Sequence, residues 1–261
     1  MSRPPARPIL VSGNWKMHHT HYEAIRFVQK LAALLRAAPL PEAREVSIHP
    51  PFTSLRSVQT ALESDGVPVA LGAQNCHQDD RGAFTGEVSA EMLAKLNVAY
   101  VIVGHSERRA QFGETDELVR AKLDAALRHA ITPILCVGET LDERESGSAF
   151  EKVSRQLEAA LSGRDGRIVG GLVVAYEPIW AIGTGRTAAV SDAAEMAAHV
   201  REEVGRLTGA DAASRLRVQY GGSVTGANAA ELLGSDDVDG LLVGGASLSA
   251  DGFVEIARAG A

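Results

Sequence analysis

Ile9-Leu-Val-Ser-Gly-Asn-Trp-Lys16 is the stretch on which the fold turns. Ile9–Ser12 is a short apolar run of strand type, and it leads directly into Gly13-Asn-Trp-Lys16. A doubly wound open sheet, the main alternative, would normally place a G-x-G-x-x-G turn after its first strand. An Asn and a Lys stand at that edge instead. Seven further runs of the same kind follow: Val46–His49, Val69–Ala73, Tyr100–Val103, Pro133–Val137, Leu172–Tyr176, Leu216–Tyr220 and Gly240–Val243. Most lack polar alternation, which suits parallel strands buried on both faces. Helical patterns lie between them. Thr20-His-Tyr-Glu23 reads as a capping box, opening a helix with Ile25, Val28, Leu31, Ala32 and Leu35 on one face and Pro39 and Pro41 beyond its end. Thr115–His129 and Ser191–Leu207 repeat the pattern. Eight strand–helix units in about 250 residues predict an α/β fold, a single (β/α)8 barrel of eight parallel strands with outer helices.

The 261 residues would also allow two ordinary domains, but no composition break or low-complexity linker divides them. The expectation is a flexible extension over residues 1–8 and one catalytic barrel over 9–261. Met1–Pro8 lacks an apolar core, so it does not read as a signal peptide. No run of about 18 apolar residues suggests a membrane span. A net charge of −7 argues against nucleic acid and acidic membranes as partners, while leaving room for an anionic small molecule at a locally positive site. Cys76 and Cys136 are too few for a disulfide framework and read as buried free thiols, consistent with a reducing, cytoplasmic setting. There is no H-E-x-x-H, Cys/His cluster, Walker loop or G-x-S-x-G elbow, so no metal or organic cofactor is called for.

Barrel enzymes gather their reactive groups at the C-terminal ends of the strands. Those ends carry Asn14 and Lys16, Gln74 and Asn75, His105 with Ser106 and Glu107, Glu177, Gly221-Gly222-Ser223, and Gly244-Gly245. Glycine lets backbone N–H groups approach a phosphate closely, and barrel phosphate sites commonly use the loops after strands seven and eight. Gly222-Ser223 and Gly244-Gly245 occupy those places. Glu177 leaves its strand just ahead of Pro178-Ile-Trp-Ala-Ile-Gly-Thr-Gly185, an apolar loop stiffened at one end and loosened by Gly183 and Gly185 at the other, as a closing lid would be. His105 precedes Ser106-Glu-Arg-Arg109, a short helix whose N-terminus would favour the neutral imidazole.

Five separated stretches resemble the triosephosphate isomerase family in the family's order: Gly13-Asn-Trp-Lys-Met17, Gly104-His-Ser-Glu-Arg-Arg109, Ala175-Tyr-Glu-Pro-Ile-Trp-Ala-Ile-Gly-Thr-Gly185, Tyr220-Gly-Gly-Ser223 and Leu242-Val-Gly-Gly-Ala-Ser247. The resemblance runs from about Arg7 onward. It implies interconversion of D-glyceraldehyde 3-phosphate and dihydroxyacetone phosphate through an enediol(ate), in glycolysis and gluconeogenesis. It further implies Glu177 as the base, His105 as a neutral electrophile, Lys16 and Asn14 as substrate contacts, and a phosphate cradle from Gly183, Ser223, Gly244 and Gly245. Ser106 and Glu107 are implied as supporting residues. The pairing of a Glu base with a neutral His is this family's known arrangement. The family is typically homodimeric; Gln74, Asn75 and Gly82-Ala-Phe-Thr-Gly-Glu87, with Thr85 at the tip, resemble the loop that reaches into the partner's site. Arg186 stands where the family often has Lys, and His18-His19 replaces a commoner polar pair. Two other readings remain: a different barrel enzyme for phosphorylated sugars, and an inactive barrel kept for binding.

Overall fold

A computed structural model describes residues 7–182 and 188–260. Its eight strands close into one parallel barrel in sequence order: β1 (Ile9–Asn14), β2 (Arg44–His49), β3 (Ala70–Ala73), β4 (Tyr100–Val103), β5 (Thr132–Val137), β6 (Val173–Tyr176), β7 (Arg217–Tyr220) and β8 (Gly240–Val243). The (β/α)8 expectation holds, with helices packed around the outside. β1 runs two residues beyond the apolar run, because Gly13 and Asn14 keep register with Ile48 and His49 of β2.

Each strand is buried on both faces, which is why its sequence shows no alternation. Leu10, Tyr100, Ile102, Ile134, Cys136, Val173, Ala175 and Leu242 pack together inside the barrel. The residues between them, such as Val11, Ile48, Val101, Leu135, Val174 and Val218, face the helices. One side of the interior is polar: Ser12, Ser47, His49 and Gln219 are fully buried.

The helix His21–Ala37 starts where its capping box directs, with the Thr20 side chain accepting from the Glu23 amide and the Glu23 carboxylate accepting from Thr20. It buries Ala24, Phe27, Val28, Leu31, Ala32 and Leu35, leaving Ile25 half-buried. The helices Asp116–Arg128 and Val190–Thr208 match the other two patterns within a residue or two. Arg7, placed in the N-terminal extension by the sequence, is buried and lies 3.3 Å from Asp239, so the attachment to the barrel begins before Ile9. Both cysteines are buried free thiols. Among the described residues, no helix is long and apolar enough to cross a membrane, and no cluster of three or more His, Cys, Asp or Glu is arranged to hold a metal.

Candidate active site

β4 ends at Val103, and the next turn delivers His105 as the N-cap of the helix Ser106–Phe112. The Arg109 guanidinium donates back to the Gly104 carbonyl at 2.7 Å, which braces that turn. β6 ends at Tyr176, and the Glu177 amide continues the ladder to Val137 at 2.8 Å. A Cβ on Gly138 would stand 1.8 Å from the Glu177 carbonyl, so only glycine lets these two strand ends approach so closely.

The buried Glu177 carboxylate meets the start of the His105 helix through two donors. Ser106 N–H donates to Oε2 at 2.9 Å, and His105 Nε2 lies 2.9 Å from Oε1. Burial alone would raise the carboxyl pKa, but the imidazole and the Ser106 amide outweigh it and hold Glu177 below its ordinary range. For His105, burial disfavours the imidazolium and the facing carboxylate favours it, with the carboxylate pulling the pKa upward. Backbone geometry fixes the proton more directly. Glu107 N–H donates to Nδ1 at 3.2 Å, so Nδ1 is an acceptor and the ring carries its proton on Nε2, as a neutral imidazole does.

Lys16 sits in a left-handed conformation, with φ of +52°. That posture costs a non-glycine residue energy and needs fixing from outside. Two contacts do so: Lys16 N–H donates to Asn14 Oδ1 at 3.0 Å, and the Gln74 side-chain amide donates to the Lys16 carbonyl at 2.8 Å. The ammonium contacts Glu107. Gln74, expected in the loop toward a partner subunit, lies beside Lys16.

Asn14, Lys16, His105 and Glu177 line one pocket with Ile182, Gly221, Gly222, Leu242 and Gly244. It adjoins a second, outer pocket that shares Asn14, Lys16, Gly222 and Gly244 and adds Ser223, Gly245 and His18. Five strand ends thus converge on one cavity. A Cβ on Gly245 would meet nothing within 4 Å, so the backbone there is open to a ligand. Asn75 and Thr85 do not line it: Asn75 is buried against Lys122 at 2.8 Å, and Thr85 is exposed on its loop. Gly183, Gly185 and Arg186, the far part of the lid stretch, lie outside the described residues.

One buried carboxylate behind the site belongs to no sequence motif. Glu139 is fully buried, and its carboxylate accepts from Tyr176 Oη at 3.0 Å and Trp180 Nε1 at 2.8 Å, while its carbonyl accepts from Ile179 N–H at 3.1 Å. It anchors the segment that follows Glu177. Burial raises its pKa, against those two donors.

The family model for triosephosphate isomerase matches residues 9–260. Triosephosphate isomerase of Mycobacterium avium is 48% identical over 257 residues, covering 98% of this chain and 97% of that one. The enzyme of Streptomyces coelicolor is 49% identical over 252 residues, covering 97% of each. That of Rhodococcus jostii is 49% identical over 251 residues, covering 96% of each. The chain belongs to the triosephosphate isomerase family.

Proposed function

We propose that Glu177 is the base, His105 the electrophile and Lys16 the main positive charge in the reaction this chain catalyses as a family member, the reversible interconversion of D-glyceraldehyde 3-phosphate and dihydroxyacetone phosphate. The observation that carries the assignment is the convergence of the three groups on one pocket, with the Nε2–H of His105 held on the Glu177 carboxylate at its wall. An aldose–ketose exchange needs a base that lifts a proton from one carbon and returns it to the neighbour, and a donor near both oxygens. Glu177 meets the first need. His105 meets the second: its Nε2–H would donate to the oxygen on which enediolate charge builds, and a donor already oriented stabilises that charge without reorganising.

Glu177 cannot abstract a proton while both its oxygens are engaged by Ser106 and His105. Substrate must take over the His105 contact, freeing the carboxylate to turn toward the carbons. Lys16 then faces the substrate's negative charge. Asn14 keeps the strained Lys16 backbone in place, and backbone groups at Ser223, Gly244 and Gly245 cradle the phosphate, with Gly183 expected to close it from the lid. Excluding water there suppresses phosphate loss from the enediolate.

The functional unit is a homodimer on this reading. Met17, next to Lys16, is 93% exposed, and Phe84 and Phe112 are exposed as well. Apolar side chains so placed favour cover by a second copy, with the Thr85 loop reaching the partner's site. Sedimentation showing a fully active monomer would refute this. The enzyme works in the cytoplasm, consistent with two free thiols. A coupled assay with glyceraldehyde 3-phosphate tests the activity itself; absence of turnover would return the choice to another phosphosugar enzyme or an inactive barrel.

A further inference from the structure

Beneath the site, a row of fully buried polar side chains crosses the barrel interior, and the proposed chemistry makes no use of it. Gln219 Nε2 donates to Ser12 Oγ at 2.8 Å; Ser12 and Ser47 hydroxyls are 2.9 Å apart; Ser47 Oγ is 3.0 Å from His49 Nε2; His49 Nδ1 is 3.1 Å from the Ala73 carbonyl. The Ala73 carbonyl fixes the His49 end of this chain. A carbonyl only accepts, so Nδ1 carries the proton. In the neutral ring Nε2 is then an acceptor facing the Ser47 hydroxyl, while Ser12 Oγ accepts from both Ser47 and Gln219. Burial drives the His49 pKa down to about 4, so the ring is neutral at working pH. Gly72 makes room for it: a Cβ there would stand 2.2 Å from the ring.

The imidazole also belongs to a clamp on the catalytic lysine. Its ring holds the carbonyl of Ala73, the residue before Gln74. Its own carbonyl accepts from the Gln74 amide at 2.8 Å and from Trp15 N–H at 3.2 Å. The same Gln74 amide nitrogen holds the Lys16 carbonyl at 2.8 Å.

We propose that His49 is a positioning residue: by gripping the end of β3 with its ring and Gln74 with its carbonyl, it holds the left-handed Lys16 turn where the ammonium meets the substrate. The proposal rests on the role given to Lys16 above.

The test is steady-state kinetics on His49→Phe and His49→Asn beside the unaltered enzyme. Phe keeps the ring volume and loses both hydrogen bonds. Asn loses volume but can present an N–H where Nδ1 stood. The expected result is a KM about 10-fold higher for His49→Phe with kcat within about 3-fold, and a KM in His49→Asn restored to within about 3-fold of the unaltered enzyme. A packing role predicts the reverse order, with Phe harmless and Asn impaired, and that order would overturn the proposal, as would an unchanged KM in both. Should His49→Phe not fold, Ser47→Ala carries the test. It removes the hydroxyl that faces Nε2 and orients the ring, and an unchanged KM there also overturns the proposal. Absence of turnover in the unaltered enzyme would instead strike the reading of the site.

Discussion

His105 Nε2 stands 2.9 Å from Glu177 Oε1, so the two groups assigned to the chemistry are bonded to each other before any substrate arrives. The contact keeps a fully buried carboxylate ionised and ties it to the N-terminus of the Ser106–Phe112 helix. On the proposed mechanism substrate displaces it, and that displacement frees the Glu177 carboxylate.

Shortening the base by one methylene withdraws it from the substrate carbon. Glu177→Asp should lower kcat by about 10²-fold or more with little change in KM, since a misplacement of roughly 1 Å has that effect. Steady-state kinetics decides; an unchanged kcat removes Glu177 from the role of base.

His105→Gln removes the imidazole but leaves the phosphate cradle intact. It should lower kcat by about 10²-fold while KM stays within a few-fold. If substrate affinity falls and turnover does not, His105 is a binding residue only.

The pH dependence follows from the sign of the Glu177 shift. Its carboxyl is held below 4.5, so the base form is fully present above that value and is lost only as pH falls through the lowered one. A phosphomonoester takes up its second proton near pH 6. The acid limb of kcat/KM should therefore follow the substrate, with its break at about pH 6. A break that stays in place when the phosphate ester is replaced by a phosphonate analogue, whose second proton leaves at higher pH, would contradict the assignment.

Away from the site, Lys122 is buried against Glu114 and Asn75, with Arg108 also on the Glu114 carboxylate at 2.5 Å. Lys122→Met leaves a buried carboxylate with one partner fewer and should destabilise the fold by about 3 kcal/mol. Burial opposes the Glu114 charge, but Lys122 and Arg108 hold its pKa below 4.5. Its contribution is present above the ordinary carboxylate range and lost as pH falls through the lowered value. The variant should therefore begin acid unfolding at a higher pH. Urea unfolding at pH 7 and at pH 4.5 measures both; equal stability of the two proteins at both would refute the claim.

The strand runs were legible because a parallel barrel buries both strand faces, leaving Tyr100–Val103 or Gly240–Val243 as plain apolar blocks. Glu177, His105 and Lys16 were legible because strand-end residues of a barrel share one mouth. Gln74 was named at its strand end but its hold on Lys16 was not legible, and Glu139 was not singled out at all. Gln74 acts on Lys16 across 58 positions and Glu139 on Trp180 across 41, and no local spacing reports contacts made only when the barrel closes. His49 reads as the polar end of an apolar run; its partners lie on β2 itself and on β3.

The central claim is that a proton leaves the substrate for Glu177 and returns to the neighbouring carbon. Glyceraldehyde 3-phosphate turned over in D2O, with the product read by proton NMR at early conversion, tests it most directly. A carboxylate base that exchanges with solvent predicts dihydroxyacetone phosphate carrying deuterium at C1. Product free of solvent deuterium from the first turnovers onward, the signature of a direct hydride shift between the carbons, would contradict it.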